Sequence, residues 1–317
     1  MRDALLRSAA FCAGLFLVAA LLHLTLLGGL RRLQNGAYGV RNRIVDGRVR
    51  AEVLVSGSSR SFVGIDAARL GELTGLASHN ISADGSRLEA QLALLATYLE
   101  HNPAPRLLLQ SLDAFSLEPL EKVYQPELYL PHLGEPAIYS YVTSVDRSFR
   151  AMRYLPLHGF AVNKRALFDA LYGLSGRERK LRDPFSNGSL LRDRGWDGSF
   201  ERYLATHPEG ETYRATAAGL SNLAAIVELA RRRHVPLVFV YPPEHELSEK
   251  IVRNRREMIA LLADLARRHE VPFWDYSAHP ICGEKDCFYN TEHLNVRGAH
   301  RFTDELAARV TAYLASR

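Results

Sequence analysis

The sequence Val53-Leu-Val-Ser-Gly-Ser-Ser59-Arg60 places a short apolar run directly before a Gly-Ser-Ser turn. We interpret Glu52–Ser56 as a buried strand, because a short apolar run bounded by turn residues is typical of a parallel sheet. A tight turn after such a strand exposes a serine hydroxyl and directs backbone N–H groups to the same point. Gly-Ser-Ser is also ordinary turn composition, so this motif alone does not predict chemistry.

A second motif, Phe288-Tyr-Asn-Thr-Glu-His-Leu-Asn-Val-Arg-Gly-Ala299, lies near the end of the chain. It places His293 in a predicted loop, and the Leu-Asn-x-x-Gly-Ala that follows opens the last helix. An early strand-end serine and a late pre-helix histidine form a nucleophile and general base that sheet topology brings together. The motifs therefore predict Ser59 and His293 as a catalytic pair.

Helices alternate with short apolar runs along most of the chain. The predicted helices are Leu88–Tyr98, Thr216–Arg232, Ile251–Arg268 and about Ala299–Leu314, and the predicted strands are Leu107–Leu109, Leu237–Tyr241 and Phe273–Tyr276. This alternation predicts an α/β fold with helices on both faces of a parallel sheet.

The alternation fails between about Leu117 and Gly210, where Tyr, Pro, Gly and Arg are frequent. A structureless loop of that length is improbable inside a compact domain, so we expect an insertion with helices of its own, Asn163–Leu174 among them. At the carboxyl edge of a parallel sheet, such an insertion is placed to form a lid or a partner surface.

The stretch Ser8–Leu30 contains no formally charged side chain. As a helix it would extend about 34 Å, which is enough to cross the hydrocarbon core of a bilayer. We favour a retained anchor over a cleaved signal peptide, whose apolar region is usually shorter, and over a buried soluble helix. The expected organisation is a tail at 1–7, a transmembrane helix at 8–30, a linker at 31–49 and one α/β domain at 50–317 with its insertion at about 117–210.

The sequence leaves the membrane orientation open. Arginines follow the span at Arg31, Arg32, Arg41 and Arg43, which by charge alone favours a cytoplasmic domain. Cys282 and Cys287 are spaced to close a small disulfide in an oxidising compartment, which favours an outward-facing domain, although two free thiols are the alternative.

The overall composition excludes several classes of protein. Hydrophobic residues make up 47% and charged residues 24% of the 317 residues, which is typical of a globular chain rather than a disordered one. The net charge of +5 is mild, and no basic stripe is interleaved with aromatics, so we expect no nucleic-acid partner. No cluster has metal-ligand spacing and no dinucleotide fingerprint occurs, so we expect neither a metal nor a cofactor.

Together, the two motifs resemble the first and fifth blocks of the SGNH/GDSL hydrolases. The chain is most similar to the membrane-anchored envelope branch, which includes the D-alanine transfer protein of lipoteichoic acid and the SGNH-like proteins of alginate O-acetylation. Further similarities are Asn80-Ile-Ser-Ala-Asp-Gly85, Leu112-Asp-Ala-Phe115 and Tyr241-Pro-Pro-Glu-His245. The resemblance covers roughly residues 50–115 and 215–315 and implies a three-layer, flavodoxin-like α/β/α fold.

The resemblance implies a role for each matched position. Ser59 would be the nucleophile and His293 the base, and the backbone N–H groups of Ser59 and Gly85 would form an oxyanion hole. Asn80, Asp113 and His245 are further candidates for the hole or the binding cleft. The family's Gly-x-Asn-Asp block is absent, and Asp113 stands nearby instead; because an ionised carboxylate cannot donate a hydrogen bond, we do not assign it as a donor.

Asn290 is the largest departure from the family pattern, which has Asp three residues before its histidine. An Asn carbonyl can accept from His293 but supplies no charge to an imidazolium, and a flipped amide would present the wrong group. Either the site is a slow Ser–His dyad, or Glu292 or Asp286 replaces the missing carboxylate, or catalysis is lost.

Two other polar residues near these motifs have less specific interpretations. We expect Arg60, which directly follows the predicted nucleophile, to be a solvated surface residue, although contact with an anionic substrate is the alternative. His245 is compatible with a cleft rim or with an ordinary loop.

The expected function is that of a membrane-anchored acyl esterase or O-acyltransferase acting on an envelope polysaccharide, with acetyl as the expected acyl group. The resemblance implies a single-pass protein of the inner membrane whose domain faces the periplasm or the outside. It also implies a membrane-bound O-acyltransferase as a partner, besides the lipid around residues 8–30. The alternative is a catalytically inactive SGNH-fold protein that binds glycan or scaffolds an export complex.

Overall fold

The computed structural model of the protein describes residues 1–177 and 185–316. Its strands are β1 (Val53–Ser56), β2 (Ser78–Asn80), β3 (Leu107–Ser111), β4 (Phe185–Ser186), β5 (Ser189–Leu190), β6 (Leu237–Tyr241) and β7 (Phe273–Asp275). Five of them form a parallel sheet in the order β2-β1-β3-β6-β7, whereas β4 and β5 form a separate antiparallel pair. The predicted α/β class with a parallel sheet is confirmed.

The chain divides into two compact units. The helical unit comprises residues 1–46 and 121–177 and contains α1 (Arg2–Arg32), α2 (Gly36–Val45), α6 (Pro136–Val145), α7 (Phe149–Tyr154), α8 (His158–Val162) and α9 (Lys164–Leu174). The sheet unit comprises residues 47–120 and 185–316 and contains α3 (Ser59–Gly64), α4 (Ala67–Thr74), α5 (Leu88–His101), α10 (Ser199–Thr206), α11 (Ala217–Arg232), α12 (Ser248–Ile251), α13 (Arg255–Arg268) and α14 (Val296–Ala315).

The sheet is buried on both faces, which explains why its strands are apolar throughout. Val55 pairs with Leu109 on one side and Asn80 on the other, and Leu109 pairs with Val238. Successive side chains point to opposite faces, and those on the face of Val55 pack against α4 and α14. Leu54, on the opposite face, is also fully buried. Right-handed crossovers place α5 and α11 on that face.

The strand order creates a switch point between β1 and β3. The chain proceeds from β1 outward to β2, and then returns past β1 to continue from β3 in the other direction. Parallel sheets bind ligands in the crevice outside the carboxyl ends of the strands at such a point. Ser59 follows β1 and Asp113 follows β3, so the topology places both predicted residues at this edge of the sheet.

Most predicted elements of the sheet unit occur with small shifts in their ends, and β6 spans the predicted Leu237–Tyr241. The prediction of a single helix over Ile251–Arg268 is wrong in one respect, because the chain forms α12 and then α13 with a break between them. At the break Val252 bridges in parallel to Glu211, and Arg253 N donates to the Glu211 carbonyl oxygen. This pairing uses backbone N–H and C=O groups that a continuous helix would need for its own hydrogen bonds.

The helical unit builds the carboxyl end of α1 into its own core. Asn42 Nδ2 donates to the carbonyl oxygens of Leu30, Arg31 and Leu33, and so satisfies acceptors that a helix end leaves without donors. Gly29 and Gly173 lie at a close crossing of α1 and α9, where a Cβ on Gly173 would approach the Gly29 carbonyl oxygen to 1.9 Å. The helix α1 has the length and apolar composition to cross a membrane, and its apolar window is not buried in the protein.

The segment predicted as an insertion contributes to both units. Its residues 121–177 fold within the helical unit. There α9 matches the predicted helix and begins after Asn163, and the Asn163 side chain caps it. Its residues 185–210 belong to the sheet unit, whereas 178–184 lie outside the described residues.

Cys282 and Cys287 are free thiols, so the disulfide alternative is not realised in this structure. Each sulfur has a different neighbour. Cys282 Sγ lies 3.6 Å from the Tyr276 carbonyl oxygen, and Cys287 Sγ lies 3.3 Å from Arg301 Nη1. Both side chains are packed in the core beneath α14.

Candidate active site

Ser59 and His293 lie in direct contact at the carboxyl edge of the sheet. Ser59 is the first residue of α3, and the preceding Ser58 caps that helix by accepting from Arg60 N. His293 lies in the loop before α14, and its Nε2 is 2.8 Å from Ser59 Oγ. Tyr289 stacks on the imidazole with a ring separation of 5.3 Å and an angle of 8°. The structure therefore brings the two ends of the sheet unit into the hydrogen bond that a nucleophile and its base require.

Asn290 Oδ1 accepts three hydrogen bonds: from Glu292 N at 3.1 Å, from His293 N at 3.0 Å and from His293 Nδ1 at 2.9 Å. The two backbone donors are unambiguous, so they fix the amide with its oxygen toward the imidazole. His293 Nδ1 must then carry a proton, because an oxygen acceptor can pair only with a protonated nitrogen. Nε2 is left as the acceptor that faces the Ser59 hydroxyl.

The electrostatics of the site keep His293 neutral. Burial, together with the positive charges of Arg60 and Arg192, lowers the pKa of His293 to about 3 against the opposing effect of Asp197. At neutral pH the ring is therefore in the basic form that can take up a proton. The same environment disfavours the imidazolium that proton transfer creates.

Arg60 is not a surface residue, so that expectation is wrong. Its side chain is almost fully buried; Nη1 lies 3.0 Å from Asp113 Oδ1 and 3.7 Å from Glu244 Oε2. Nη2 donates to the Pro242 carbonyl oxygen at 2.5 Å, and the guanidinium lies over the Tyr241 ring. Arg60 therefore links the carboxyl ends of three strands, because these partners follow or terminate β3 and β6 while Arg60 itself follows β1.

The carboxylates around Arg60 have further partners. Asp113 Oδ2 accepts from Ser58 Oγ at 2.5 Å, and Glu244 Oε1 accepts from Tyr241 at 2.6 Å and from Arg255. Burial raises the pKa of Asp113, and Arg60 opposes that shift. Burial would also raise the pKa of Glu244, but Arg60 and Arg255 together lower it. We name Arg60, Asp113, Glu244 and Arg255 the buried ion cluster; it supports the turn that carries Ser59.

A cavity of about 440 Å³ opens in front of Ser59. Its lining combines aromatic and acidic side chains with Arg87, and comprises Ser59, Arg87, Phe115, Ser199, Phe200, Tyr203, Glu211, Tyr213, Ile251, Asn290, Thr291 and Glu292. Glu211 accepts hydrogen bonds from the hydroxyls of Tyr203 and Tyr213, so this wall has a fixed arrangement. This wall was not predicted from the sequence. The tyrosines and glutamates between 199 and 213 were the only pattern there that could have indicated it.

Glu292 faces the cavity and does not take the place that an aspartate holds in the hydrolases the sequence resembles. Both ring nitrogens of His293 are occupied, one by Asn290 and the other by Ser59. Burial, reinforced by the negative charge of Glu244, raises the pKa of Glu292 to about 7. Asp286 pairs with Arg297 at the surface, so neither candidate carboxylate reaches the ring.

Two further predicted residues, Asn80 and His245, are buried among structural contacts and do not line the cavity. Asn80 is fully buried; its Nδ2 donates to Ser61 O, Ile65 O and Ser189 Oγ, and its Oδ1 accepts from Ser82 N, so it stabilises the fold rather than binding substrate. His245 is buried between Trp196 and Phe288, which excludes the cleft-rim interpretation, although its backbone N supports the loop that carries His293 by donating to Thr291 O.

Gly85 lies in a turn that packs against the nucleophile turn. The turn is anchored by Ala83 N and Ser86 Oγ, which both donate to the Gly57 carbonyl oxygen. Gly85 has a φ of +60°, a conformation that favours glycine. Its role as an oxyanion donor remains a prediction from the family resemblance.

No protein-family model and no curated protein matches the sequence. Among solved structures, a protein of Bacteroides fragilis NCTC 9343 that is provisionally assigned as an acylhydrolase aligns over 82% of this chain and 87% of its own. The aligned residues are 10% identical and the TM-score is 0.36. At that level the similarity says nothing about substrate or mechanism.

Breaking the buried ion cluster should destabilise the sheet unit strongly. Asp113→Ala removes the carboxylate that lies nearer to the buried Arg60 guanidinium and leaves it with Glu244 alone, so we expect a loss of about 3–5 kcal/mol in the free energy of unfolding. Asp304→Ala is the matched control, because it removes a carboxylate from the exposed Arg69–Asp304 pair and should cost less than about 1 kcal/mol. Urea denaturation measures both, and equal losses in the two variants would contradict the role of the cluster.

The raised pKa of Glu292 predicts a pH-dependent stability. The folded state retains a proton at pH values between the ordinary value of 4.5 and about 7, where the unfolded chain has released it. The contribution to stability is therefore complete below pH 4.5 and is lost as the pH rises through 7. Glu292→Gln should stabilise the protein by up to about 3 kcal/mol at pH 8 and leave it unchanged at pH 4.

Urea denaturation of wild type and Glu292→Gln at the two pH values tests this expectation. Glu209→Gln, which alters an exposed glutamate, serves as the control and should follow wild type. A constant difference between Glu292→Gln and wild type across the pH range would show that Glu292 does not titrate as described.

Proposed function

We propose that this protein is a membrane-anchored serine acyl esterase or O-acyltransferase that acts on an envelope polysaccharide. The observation that carries the proposal is the chain of hydrogen bonds from Asn290 through His293 to Ser59 at the end of an open cavity. The tautomer fixed by Asn290 gives the imidazole the protonation that a general base needs. A structural histidine has no such requirement.

The reaction would proceed in two steps. Ser59 Oγ attacks the carbonyl carbon of an ester while its proton passes to His293 Nε2, and the resulting imidazolium then protonates the departing alkoxide. The product of this step is an acyl-Ser59 ester. In the second step, His293 removes a proton from water or a sugar hydroxyl, whose oxygen attacks the acyl carbon, and the proton returns to Ser59 as the product leaves.

The N-terminus of α3 supports the assignment of an oxyanion hole. As the first residue of α3, Ser59 has a backbone N–H without an acceptor inside the helix. The family resemblance adds the N–H of Gly85, whose turn is anchored at Gly57. In comparable acyl-transfer sites, one such donor contributes about 3–4 kcal/mol to transition-state stabilisation.

The cavity suits a neutral, hydroxyl-rich substrate. Phe115, Phe200 and the two tyrosines offer aromatic surface, and the carboxyl groups of Glu211 and Glu292 can accept or share hydrogen bonds with hydroxyls. Strong binding of an anion would be opposed by these carboxylates. We propose acetyl as the acyl group, which rests on the family resemblance.

The carboxyl end of α1 supports a retained anchor rather than a cleaved leader. Removing α1 would expose the face of α9 that packs on Gly29 and would leave Asn42 without two of its three acceptors, the carbonyl oxygens of Leu30 and Arg31. We propose that α1 crosses the inner membrane, that the rest of the chain faces outward, and that a membrane-bound O-acyltransferase supplies the acyl group.

A catalytically inactive glycan-binding protein is the second candidate. It is favoured by the neutral Asn290 and by the depressed pKa of His293, since both weaken the stabilisation of an imidazolium. The two candidates share the cavity and differ in whether Ser59 reacts.

Active-site labelling distinguishes the candidates. We expect a fluorophosphonate probe to label the wild-type chain, because His293 activates Ser59, and expect Ser59→Ala and His293→Ala to abolish the labelling. Ser199→Ala is the matched control, because it removes another serine that lines the cavity. Folded wild-type protein that neither labels nor hydrolyses an aryl acetate would establish the inactive alternative.

Asn290→Asp should increase catalysis. A carboxylate at this position can accept the same three hydrogen bonds and add the charge that stabilises imidazolium, an effect of about 1.5–3 kcal/mol for a hydrogen bond to a charged group. We expect kcat/KM for an aryl acetate to rise at least about tenfold and the acid limb of its pH profile to move to higher pH. Asn290→Ala should lower kcat/KM, and an unchanged rate in both variants would show that position 290 does not act through the imidazole.

A further inference from the structure

The helical unit carries an apolar surface on the residues that follow α6. Among described residues outside 1–32, nearly all large apolar side chains that are half or more exposed fall within 154–171. These are Tyr154, Leu155, Val162, Phe168 and Leu171, which we name the apolar patch; Leu73 is the remaining one. Exposed apolar side chains concentrated in one segment mark an interaction surface.

The distribution of residues around α9 is inverted relative to that of a water-facing helix. Its exposed stripe carries Phe168 and Leu171, whereas its buried face carries Asp169 together with small residues that pack on α1. The exposed Lys164 and Arg165 lie at the N-terminal end of the same stripe. Apolar side chains next to basic ones are typical of helices that lie in a membrane interface.

Contacts between α1 and the segment that carries the apolar patch show which part of α1 lies beside the patch. Leu157 N donates to His23 Nδ1 at 3.3 Å, and the His23 ring contacts Phe160. Further along the chain, Gly173 crosses α1 at Gly29. Val162, Phe168 and Leu171 lie between these two crossings in sequence. They therefore lie beside the seven residues from His23 to Gly29, over which the helix rises about 9 Å.

That level coincides with the end of the apolar stretch of α1, which extends to Leu30. A hydrocarbon core of about 30 Å takes about 20 helical residues, so positions 23 to 29 fall at the edge of the core, where acyl chains meet headgroups. We propose that the apolar patch lies in the interface of the bilayer that α1 crosses. In this arrangement its side chains contact lipid acyl chains. This inference rests on α1 as a membrane span and is independent of the chemistry at Ser59.

Depth-dependent fluorescence quenching in the full-length chain tests the proposal. Cys12→Ser removes the exposed thiol, and the remaining cysteines are buried. Single cysteines are introduced in place of Phe168, Leu15 or Leu73 and labelled with an environment-sensitive nitrobenzoxadiazole. Each protein is reconstituted at one chain per nanodisc of phosphatidylethanolamine and phosphatidylglycerol that contains doxyl lipids.

We expect the label at 168 to be quenched at least twofold more by a doxyl group at carbon 5 than by one at carbon 12. The label at 15 should be quenched most by the deeper group, and the label at 73, a half-exposed leucine of the sheet unit, should not be quenched. Quenching at 15 without quenching at 168 would overturn the proposal and leave the anchor intact. Absence of quenching at 15 would overturn both.

A surface that binds protein instead of lipid would give a different result. The label at 168 would then be shielded from water only when several chains share a nanodisc, and doxyl lipids would not quench it. That result would assign the patch to a second copy of the chain and overturn the proposal. Fluorophosphonate labelling of the same samples reports separately on Ser59, so failure of the catalytic proposal is distinguishable from failure of this one.

Discussion

A buried guanidinium holds together the edge of the sheet on which the site is built. Arg60 directly follows the candidate nucleophile, and its partners follow or terminate β3 and β6. Transferring one charge from water to the interior costs several kcal/mol, so Arg60 is stable there only with its two carboxylates in place. The position of Ser59 therefore depends on Asp113 and Glu244, although neither lines the cavity.

Asn290 imposes the second constraint, which is one of protonation rather than position. Replacing a catalytic aspartate by asparagine is damaging in serine proteases because it gives the imidazole the wrong tautomer. Here two backbone N–H groups fix the amide oxygen, so the tautomer is the productive one despite the missing charge. Compared with the aspartate of the hydrolases that the sequence resembles, Asn290 therefore lacks the negative charge and keeps the hydrogen-bond geometry.

The sequence predicted the sheet and its apolar strands because their chemistry is local. β6 and α9 follow from apolar runs and caps, and the contact between Ser59 and His293 follows from the order of strands and helices. The strand β2 was missed, since Ser78–Asn80 is short and polar and is defined only by its pairing with β1. The buried state of Arg60 was also missed, because its carboxylate partners are distant in sequence and no local pattern encodes them.

The acidic lining of the cavity gives a physical reason for a neutral residue at position 290. Glu292 already has a raised pKa, partly because Glu244, Asp113 and Glu211 are near it. Another carboxylate two residues away would add like-charge repulsion in a largely buried region, where such repulsion is screened weakly. An asparagine avoids that cost and still accepts the three hydrogen bonds that orient the ring. The site is thus consistent with a compromise between stability of the loop and strength of the base, a trade-off that functional sites commonly show.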